Sequence, residues 1–245
     1  MPFTPETLIA IPLIGLLAYV ILGISGFGSA LVTIPLLVHF LPLQTVVPLV
    51  VMVDFVATLT TGVRFREHVE VGELKWLIPS AIAGILAGVT LLAMLPQHAT
   101  LVSLGIFITG YGIYRLFASR PVTGIPRWWG VPTGLLGGLI GGLFGVGGPI
   151  YAAYMTARIA DVSRMRATLA AVFTFSTGLR VAVYFVSGLA LQSEVWWALL
   201  ILLPIMPIGL AIGHRLHAKL TPQQVGRFIS GLLVVSGLSL LWKAL

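Results

Sequence analysis

Long apolar segments, separated by short breaks, limit most strongly what this chain can fold into. A helix needs about 20 predominantly apolar residues to cross the hydrocarbon core of a bilayer. Eight segments of the sequence approach or reach that length, whereas the second and the seventh are too short to cross. The ten segments lie near residues 7–24, 28–41, 44–63, 75–94, 98–117, 128–145, 148–158, 166–186, 194–213 and 223–243.

The charge content agrees with this pattern. Only 9% of the 245 residues are charged, against about 25% in soluble proteins, and the mean hydropathy is +1.06. A net charge of +7 could suggest nucleic-acid binding, but the basic residues form short clusters between apolar segments, as in cytoplasmic loops. We therefore expect an all-α, multi-pass protein of a bacterial-type inner membrane, in contact with lipid and not with nucleic acid. The chain has no cysteine and its histidines lack metal-ligand spacing, so neither a metal site nor a cofactor is expected.

The two halves of the chain resemble each other. "SGFGSALVTIPLL" at 25–37 aligns with "FGVGGPIYAAYMT" at 144–156, an offset of 119 residues, and "GILAG" at 84–88 matches "GLAIG" at 209–213. The offset grows to 125–126 further on, which predicts an insertion near 186–200. Chance alignment of apolar sequence is the alternative, but the matches occur in the same order. We expect one domain over 1–245 built from two repeats of five elements, at about 7–117 and about 128–243.

Basic residues predict the topology. Twelve of the fourteen Lys and Arg residues fall in four clusters, which the positive-inside rule places in the cytoplasm. Both termini are then periplasmic, and the second repeat is inverted relative to the first, a common plan in secondary transporters. The clusters are Arg64, Arg66 and Lys75; Arg115, Arg120 and Arg127; Arg158, Arg164 and Arg166; and Arg215, Lys219 and Arg227.

Two glycine-rich motifs occupy equivalent places in the repeats. "GFGS" at 26–29 and "GVGG" at 145–148 each separate two apolar segments, so each is predicted to be the tip of a short or broken helical hairpin near the membrane centre. Corresponding breaks in two halves point to a substrate site. For the preceding run from Gly134 to Gly142, the alternative is a glycine zipper that only packs helices together.

These motifs carry a family resemblance. "GISGFGSALVTIPLL" at 23–37, "GGLFGVGGPIYAAYM" at 141–155 and the duplicated layout resemble the sulfite exporter family of the TauE/SafE type. The resemblance implies a membrane permease that moves sulfite, a sulfonate or a related sulfur-containing anion. It fixes neither the substrate nor the direction of transport, because members of the family differ in both.

Two ionisable residues lie well inside predicted spans, Asp54 in the third segment and Arg180 in the eighth. A buried charge in a membrane needs a partner, a cavity or neutralisation. Arg180 is predicted to bind the anion, and Asp54, with Thr58 one turn later, is predicted to couple protons or to act as the counter-charge. The alternative is a structural Asp54–Arg180 salt bridge. The predicted substrate-binding residues are Ser25, Gly26, Phe27, Gly28, Ser29, Gly145, Val146, Gly147, Gly148, Ser176, Thr177 and Arg180.

The leading functional prediction is a secondary transporter that moves a small sulfur-containing anion by alternating access, with no enzymatic activity. One alternative is a non-transporting subunit of a larger membrane complex. Another is an intramembrane serine protease, because "GISG" places Ser25 in a G-x-S-G pattern, but no histidine lies where it could serve as the base. The sequence leaves the oligomeric state open.

Overall fold

The computed structural model of this protein describes residues 3–25, 28–62, 68–117, 124–217 and 222–244. Helices account for most of these ranges, and no strand occurs within them, which confirms the all-α prediction. The ten α-helices are α1 (Pro5–Ser25), α2 (Ser29–Leu37), α3 (Leu43–Gly62), α4 (Val71–Met94), α5 (Gln97–Phe117), α6 (Gly130–Phe144), α7 (Gly148–Arg158), α8 (Val162–Val186), α9 (Ser193–His217) and α10 (Pro222–Ala244).

The observed helices follow the predicted segments, with differences at some ends. Helix α2 stops at Leu37 rather than near residue 41, in keeping with Pro42, which disfavours helical geometry in the residue before it. Helix α8 begins four residues earlier than predicted, because the Asp161 carboxylate accepts the backbone N–H of Arg164 at 2.8 Å and caps the first turn. This hydrogen bond holds the pKa of Asp161 below its usual range.

The insertion predicted near 186–200 has a structural counterpart. Helix α8 has 25 residues, whereas its repeat equivalent α3 has 20. A turn at Gly188, whose φ is +80°, and a 3₁₀ turn at Leu189–Leu191 then lead into α9. A second 3₁₀ turn, Arg127–Trp129, precedes α6. Single 3₁₀ turns carry too few residues to produce a hydropathy period, so the sequence pattern did not predict them.

The most extensive contacts between helices are symmetric under exchange of the two halves, whereas α2 also packs against α10 without a comparable contact of α7 with α5 in the described residues. Helix α1 packs along α9, and α6 packs along α4, its equivalent pair. Helices α3 and α8 pack against each other, as do α5 and α10. Exchange of the two halves turns each of these pairs into the same pair. Two halves related by a two-fold axis have this pattern of contacts. The orientation of each half relative to the membrane stays a prediction.

Close backbone contact holds α4 against α6. A Cβ atom added at Gly142 would lie 2.7 Å from the carbonyl oxygen of Ile85, and one at Gly138 would overlap the carbonyl of Ala81. The equivalent pair α1 and α9 meets in the same way, with Gly23 against the backbone of Gly213. Small residues four apart allow this approach, so the glycine-zipper interpretation is correct for this face of α6.

Within the described ranges, six helices are long and apolar enough to cross a membrane: α1, α4, α5, α8, α9 and α10. The apolar stretch of α3, Leu43–Leu59, is shorter. All six tryptophans are exposed and lie at helix ends or in the 3₁₀ turn before α6, as expected for side chains at a membrane–water interface. They are Trp76, Trp128, Trp129, Trp196, Trp197 and Trp242.

Ion pairs bring several of the basic clusters to one end of the molecule. Glu73, at the start of α4, binds Arg127 before α6 and Arg158 at the end of α7. Glu70 binds Arg164 in the first turn of α8. The predicted cytoplasmic clusters on these segments therefore lie together. Four residues of the clusters lie outside the described residues: Arg64, Arg66, Arg120 and Lys219.

Candidate functional site

The two short helices α2 and α7 begin at one partly open cavity. The cavity has a volume of about 70 Å³ and lies between both halves of the chain. From the first half it is lined by Gly28, Ser29, Asp54 and Thr58, all predicted from the sequence. From the second half it is lined by the predicted residues Gly145, Val146, Gly148, Thr177 and Arg180.

Two predicted residues of the described part of the chain, Ser176 and Gly147, are not among those that line this cavity. Ser176 is buried behind it, next to Thr177 on α8, and Gly147 lies in the turn before α7. Ser25 is the last residue of α1, and its side chain is not among those described. Gly26 and Phe27 lie outside the described residues.

Glycine conformations make the two tips possible. Gly28 has φ +105° and precedes α2, and Gly145 has φ +73° and ends α6; only glycine adopts such angles without strain. The first turns of α2 and α7 therefore start beside the cavity. The N–H groups of a first helical turn have no partners within their own helix and carry the positive end of the helix dipole. Both helix starts thus give the cavity a positive potential.

The Arg180 guanidinium is buried and makes four hydrogen bonds within the protein. Its Nη1 donates to the carbonyl oxygens of Gly141 and Gly145, both at 3.1 Å. Its Nε donates to the carbonyl of Ser176 at 3.2 Å, and Nη2 donates to the Thr177 hydroxyl at 3.1 Å. A guanidinium has five N–H groups, so within the described part of the chain four are engaged and one on Nη2 is left for another acceptor. Arg180 therefore fixes the end of α6 while its charge faces the cavity.

Tyr184, one turn after Arg180 on α8, extends this arrangement. Its hydroxyl donates to the carbonyl oxygen of Gly142 at 2.8 Å, and the side chain is fully buried. The last turn of a helix leaves carbonyl groups without intrahelical partners, and buried ones need donors from elsewhere. Arg180 and Tyr184 supply these donors for α6. The sequence analysis did not predict the role of Tyr184, because a tyrosine in an apolar helix gives no sign of what its hydroxyl meets.

The Asp54 carboxylate has different partners. Its Oδ1 accepts hydrogen bonds from the Ser29 hydroxyl at 2.8 Å and from the Tyr19 hydroxyl at 3.1 Å. The ion pairs of the described residues join Glu70 and Glu73 to arginines, and Asp54 and Arg180 are not joined directly. The alternative of a structural Asp54–Arg180 salt bridge is therefore wrong. Both charges line one cavity, and each is held by its own half of the protein.

The far end of α7 is anchored by Glu73, a residue that the sequence analysis did not single out. The Glu73 side chain is 5% exposed, and its Oε1 lies 2.8 Å from Nη2 of Arg158. Tyr154, one turn earlier on α7, donates its hydroxyl to Oε2 at 2.6 Å. The sequence feature that could have pointed to Glu73 is an acidic residue in the first turn of an apolar helix. One end of α7 thus meets the cavity while the other is fixed to α4.

Comparisons with known proteins identify the family of the chain. The profile of the family described as "Sulfite exporter TauE/SafE" matches residues 11–240. A curated protein of Comamonas testosteroni, "Probable inner membrane transporter protein TsaS", is 30% identical over 205 residues, covering 80% of this chain and 83% of that protein. No solved structure matches. With six apolar helices long enough to span a bilayer, the chain is a multi-pass protein of the cell membrane. It belongs to the sulfite exporter TauE/SafE family of membrane transporters.

Proposed function

We propose that this protein is a secondary transporter that carries a small sulfur-containing oxyanion across the cell membrane by alternating access. The anion is held in the cavity where α2 and α7 begin. The observation that carries the proposal is the meeting of two helix N-termini and the buried Arg180 side chain at that cavity. In addition, the family matched by the chain is described as one of sulfite exporters.

The charges around the cavity favour an anion. Each helix N-terminus contributes a partial charge of roughly +0.5, and the guanidinium contributes a full positive charge. The carboxylate of Asp54 offsets one unit of this positive charge, so the net charge around the cavity stays positive. Since Arg180 has one N–H group left, it binds the anion through that group and its charge, without a bidentate fork. The remaining donors are backbone N–H groups of the first turns of α2 and α7, including that of Gly148.

The cavity size favours a compact anion. One water molecule needs about 10–15 Å³, so a cavity of about 70 Å³ has room for several water-sized groups. Sulfite and thiosulfate have about that many non-hydrogen atoms. An aromatic sulfonate is larger and would require the walls of the cavity to move. We therefore favour sulfite or thiosulfate over bulky organosulfonates.

Asp54 is proposed to couple anion movement to protons. Its Oδ1 is held by Ser29 on α2 and Tyr19 on α1, and the charged group across the cavity is Arg180 on α8. A proton on Asp54 removes the negative charge beside the bound anion, so the anion binds more tightly to the protonated form. The linkage is reciprocal, and anion binding favours proton uptake.

Alternating access is proposed to follow from the repeats. The exchange-symmetric contacts of the halves support two inverted repeats that move relative to each other around the cavity. Periplasmic termini, as predicted from the basic clusters, complete this topology.

Binding to the purified full-length protein tests the proposal. A ligand that binds only the folded state raises the unfolding temperature, with about 2.7 kcal/mol of stabilisation at 100 times its Kd. We expect sulfite and thiosulfate to stabilise the protein and to be taken up by proteoliposomes. Chloride at the same ionic strength is the control, and naphthalenesulfonate tests the size limit. Equal stabilisation by chloride, or none by either sulfur anion, would contradict the proposal.

A further inference from the structure

Two buried hydroxyls beside Arg180 have no hydrogen-bond partner among the residues that the structure describes. They are Tyr151 Oη on α7 and Ser176 Oγ on α8, in side chains that are only about 1% exposed. The hydroxyls face each other, and Tyr151 lies within electrostatic reach of Arg180, but neither makes a hydrogen bond with acceptable geometry. A buried polar group without a partner carries the full cost of its desolvation, so such groups are uncommon in folded proteins.

The fold does not require polar side chains at these two positions. In the repeat alignment, the equivalents of Tyr151 and Ser176 are Val32 and Ala57, at the same offset of 119 residues. Both equivalents are buried in the apolar core of the first half. The same packing position is thus filled by an apolar side chain in one half and by an unsatisfied hydroxyl in the other. A role in packing alone does not explain the hydroxyls.

Tyr151 lies on α7 between the cavity and the end of the molecule that carries the basic clusters. Gly148 lines the cavity, and Tyr151, Tyr154 and Arg158 follow it along α7 at spacings of three or four residues, so they share one face of the helix. Tyr154 and Arg158 both bind Glu73 at the end of the molecule where the basic clusters lie. Tyr151 therefore lies between the cavity and that end.

Phe173 lies beside both the cavity and Tyr151. It lines the cavity, and its ring centroid lies 6.5 Å from that of Tyr151. Its ring also faces the open side of Gly148, where an added Cβ atom would lie 3.4 Å from the ring. Phe173 therefore lies between the cavity and the Tyr151 side chain.

We infer that the Tyr151 and Ser176 hydroxyls form a second anion-binding position between α7 and α8, which the transported oxyanion occupies on the side of the cavity nearer the basic clusters. Both hydroxyls donate to the anion there, and Arg180 lies near enough to act on both positions with its charge. The inference rests on the proposed function, since it concerns a further position for the same substrate. It assigns the hydroxyls a partner that is charged and present only during transport.

Transport and equilibrium binding, measured on the same variants, test the second position. In Tyr151→Phe and Ser176→Ala a single hydroxyl is removed with little change of shape. A hydrogen bond to a charged group is worth at least a tenfold change in an equilibrium or rate constant. We expect the rate of thiosulfate uptake into proteoliposomes to fall at least tenfold in each variant, with less than a twofold change in the Kd for thiosulfate.

Thr109→Val is the matched control. Thr109 Oγ1, on α5, is another buried hydroxyl without a partner, and it does not line the cavity. This variant should keep both the uptake rate and the Kd of the parent. Thermal unfolding identifies any variant that fails to fold, and the other single variant then carries the test.

Three results would overturn the second position. One is an unchanged uptake rate in Tyr151→Phe and Ser176→Ala, another is an equal loss in Thr109→Val, and the third is a parallel loss of binding and uptake. The last would assign the hydroxyls to the cavity itself. If the parent neither binds nor transports thiosulfate or sulfite, the proposed function has failed instead, and this outcome is recognised before any variant is compared.

Discussion

Arg180 and Tyr184 offer a direct way to separate hairpin support from anion binding. Among the described residues, the Gly145 carbonyl accepts a hydrogen bond only from Arg180, and the Gly142 carbonyl accepts one only from Tyr184. The Gly141 carbonyl also accepts the N–H of Gly145 at 2.9 Å, so it keeps a partner when Arg180 is replaced. Arg180→Met and Tyr184→Phe therefore each leave one carbonyl at the end of α6 without a donor.

The two variants should lose similar stability. An orphaned buried carbonyl costs about 1–3 kcal/mol, and for a protein of this length each kcal/mol lowers the unfolding temperature by about 2–4 °C. Removal of a buried charge offsets part of the loss in Arg180→Met. Only that variant removes the positive charge from the cavity. Its affinity for thiosulfate should fall at least tenfold, whereas Tyr184→Phe should bind like the parent.

The assay is thermal unfolding of the purified variants in detergent, combined with calorimetric titration of thiosulfate. An equal loss of binding in both variants would mean that the geometry of the α6 end, and not the guanidinium, determines affinity. Parent-like binding by Arg180→Met would refute the assignment of Arg180 as an anion ligand. A stability loss in Arg180→Met alone would refute the account of the orphaned carbonyls.

Three further outcomes are expected. Gly138→Ala should destabilise the protein by about 1–3 kcal/mol, because its Cβ atom overlaps the backbone of α4. Gly231 in α10 has open space around it, so Gly231→Ala should be neutral or stabilising by up to about 1 kcal/mol. Chemical denaturation measures the free energy of unfolding of both variants. Asp54→Asn should keep anion binding but lose the dependence of uptake on a pH gradient, and unchanged dependence would exclude Asp54 as the coupling group. Single cysteines added near each terminus of this cysteine-free chain should react with a membrane-impermeant reagent from the periplasm; cytoplasmic labelling of either would contradict the inverted topology.

The helices could be predicted because their length is set by the membrane and their ends by local residues. Apolar runs of about 20 residues leave little choice but helices, and the breaks at Gly28 and Gly145 follow from backbone angles that only glycine adopts easily. The N-cap at Asp161 could also have been predicted from the sequence, since aspartate is favoured at the position before the first turn of a helix. The prediction overlooked it because the hydropathy pattern begins later.

The partners of buried polar groups could not be predicted, because they depend on how helices rotate and pack. A glycine run can serve as a hairpin tip or as a packing surface, and only the contact of α6 with α4 identifies Gly138 as part of the latter. In the same way, two opposite charges in neighbouring spans suggest a salt bridge. The structure instead gives Asp54 two hydroxyl donors and gives Arg180 the carbonyls of α6.

The repeat explains why these two charges share a cavity without pairing. Helices α3 and α8 are equivalent and pack against each other, but Asp54 aligns with Phe173 and Arg180 aligns with Thr61. The charges are thus displaced by two helical turns, roughly 10 Å, relative to equivalent positions. Charges at equivalent positions near a two-fold axis would meet and neutralise each other. With this displacement each charge takes partners from its own half, and both line the cavity between the halves.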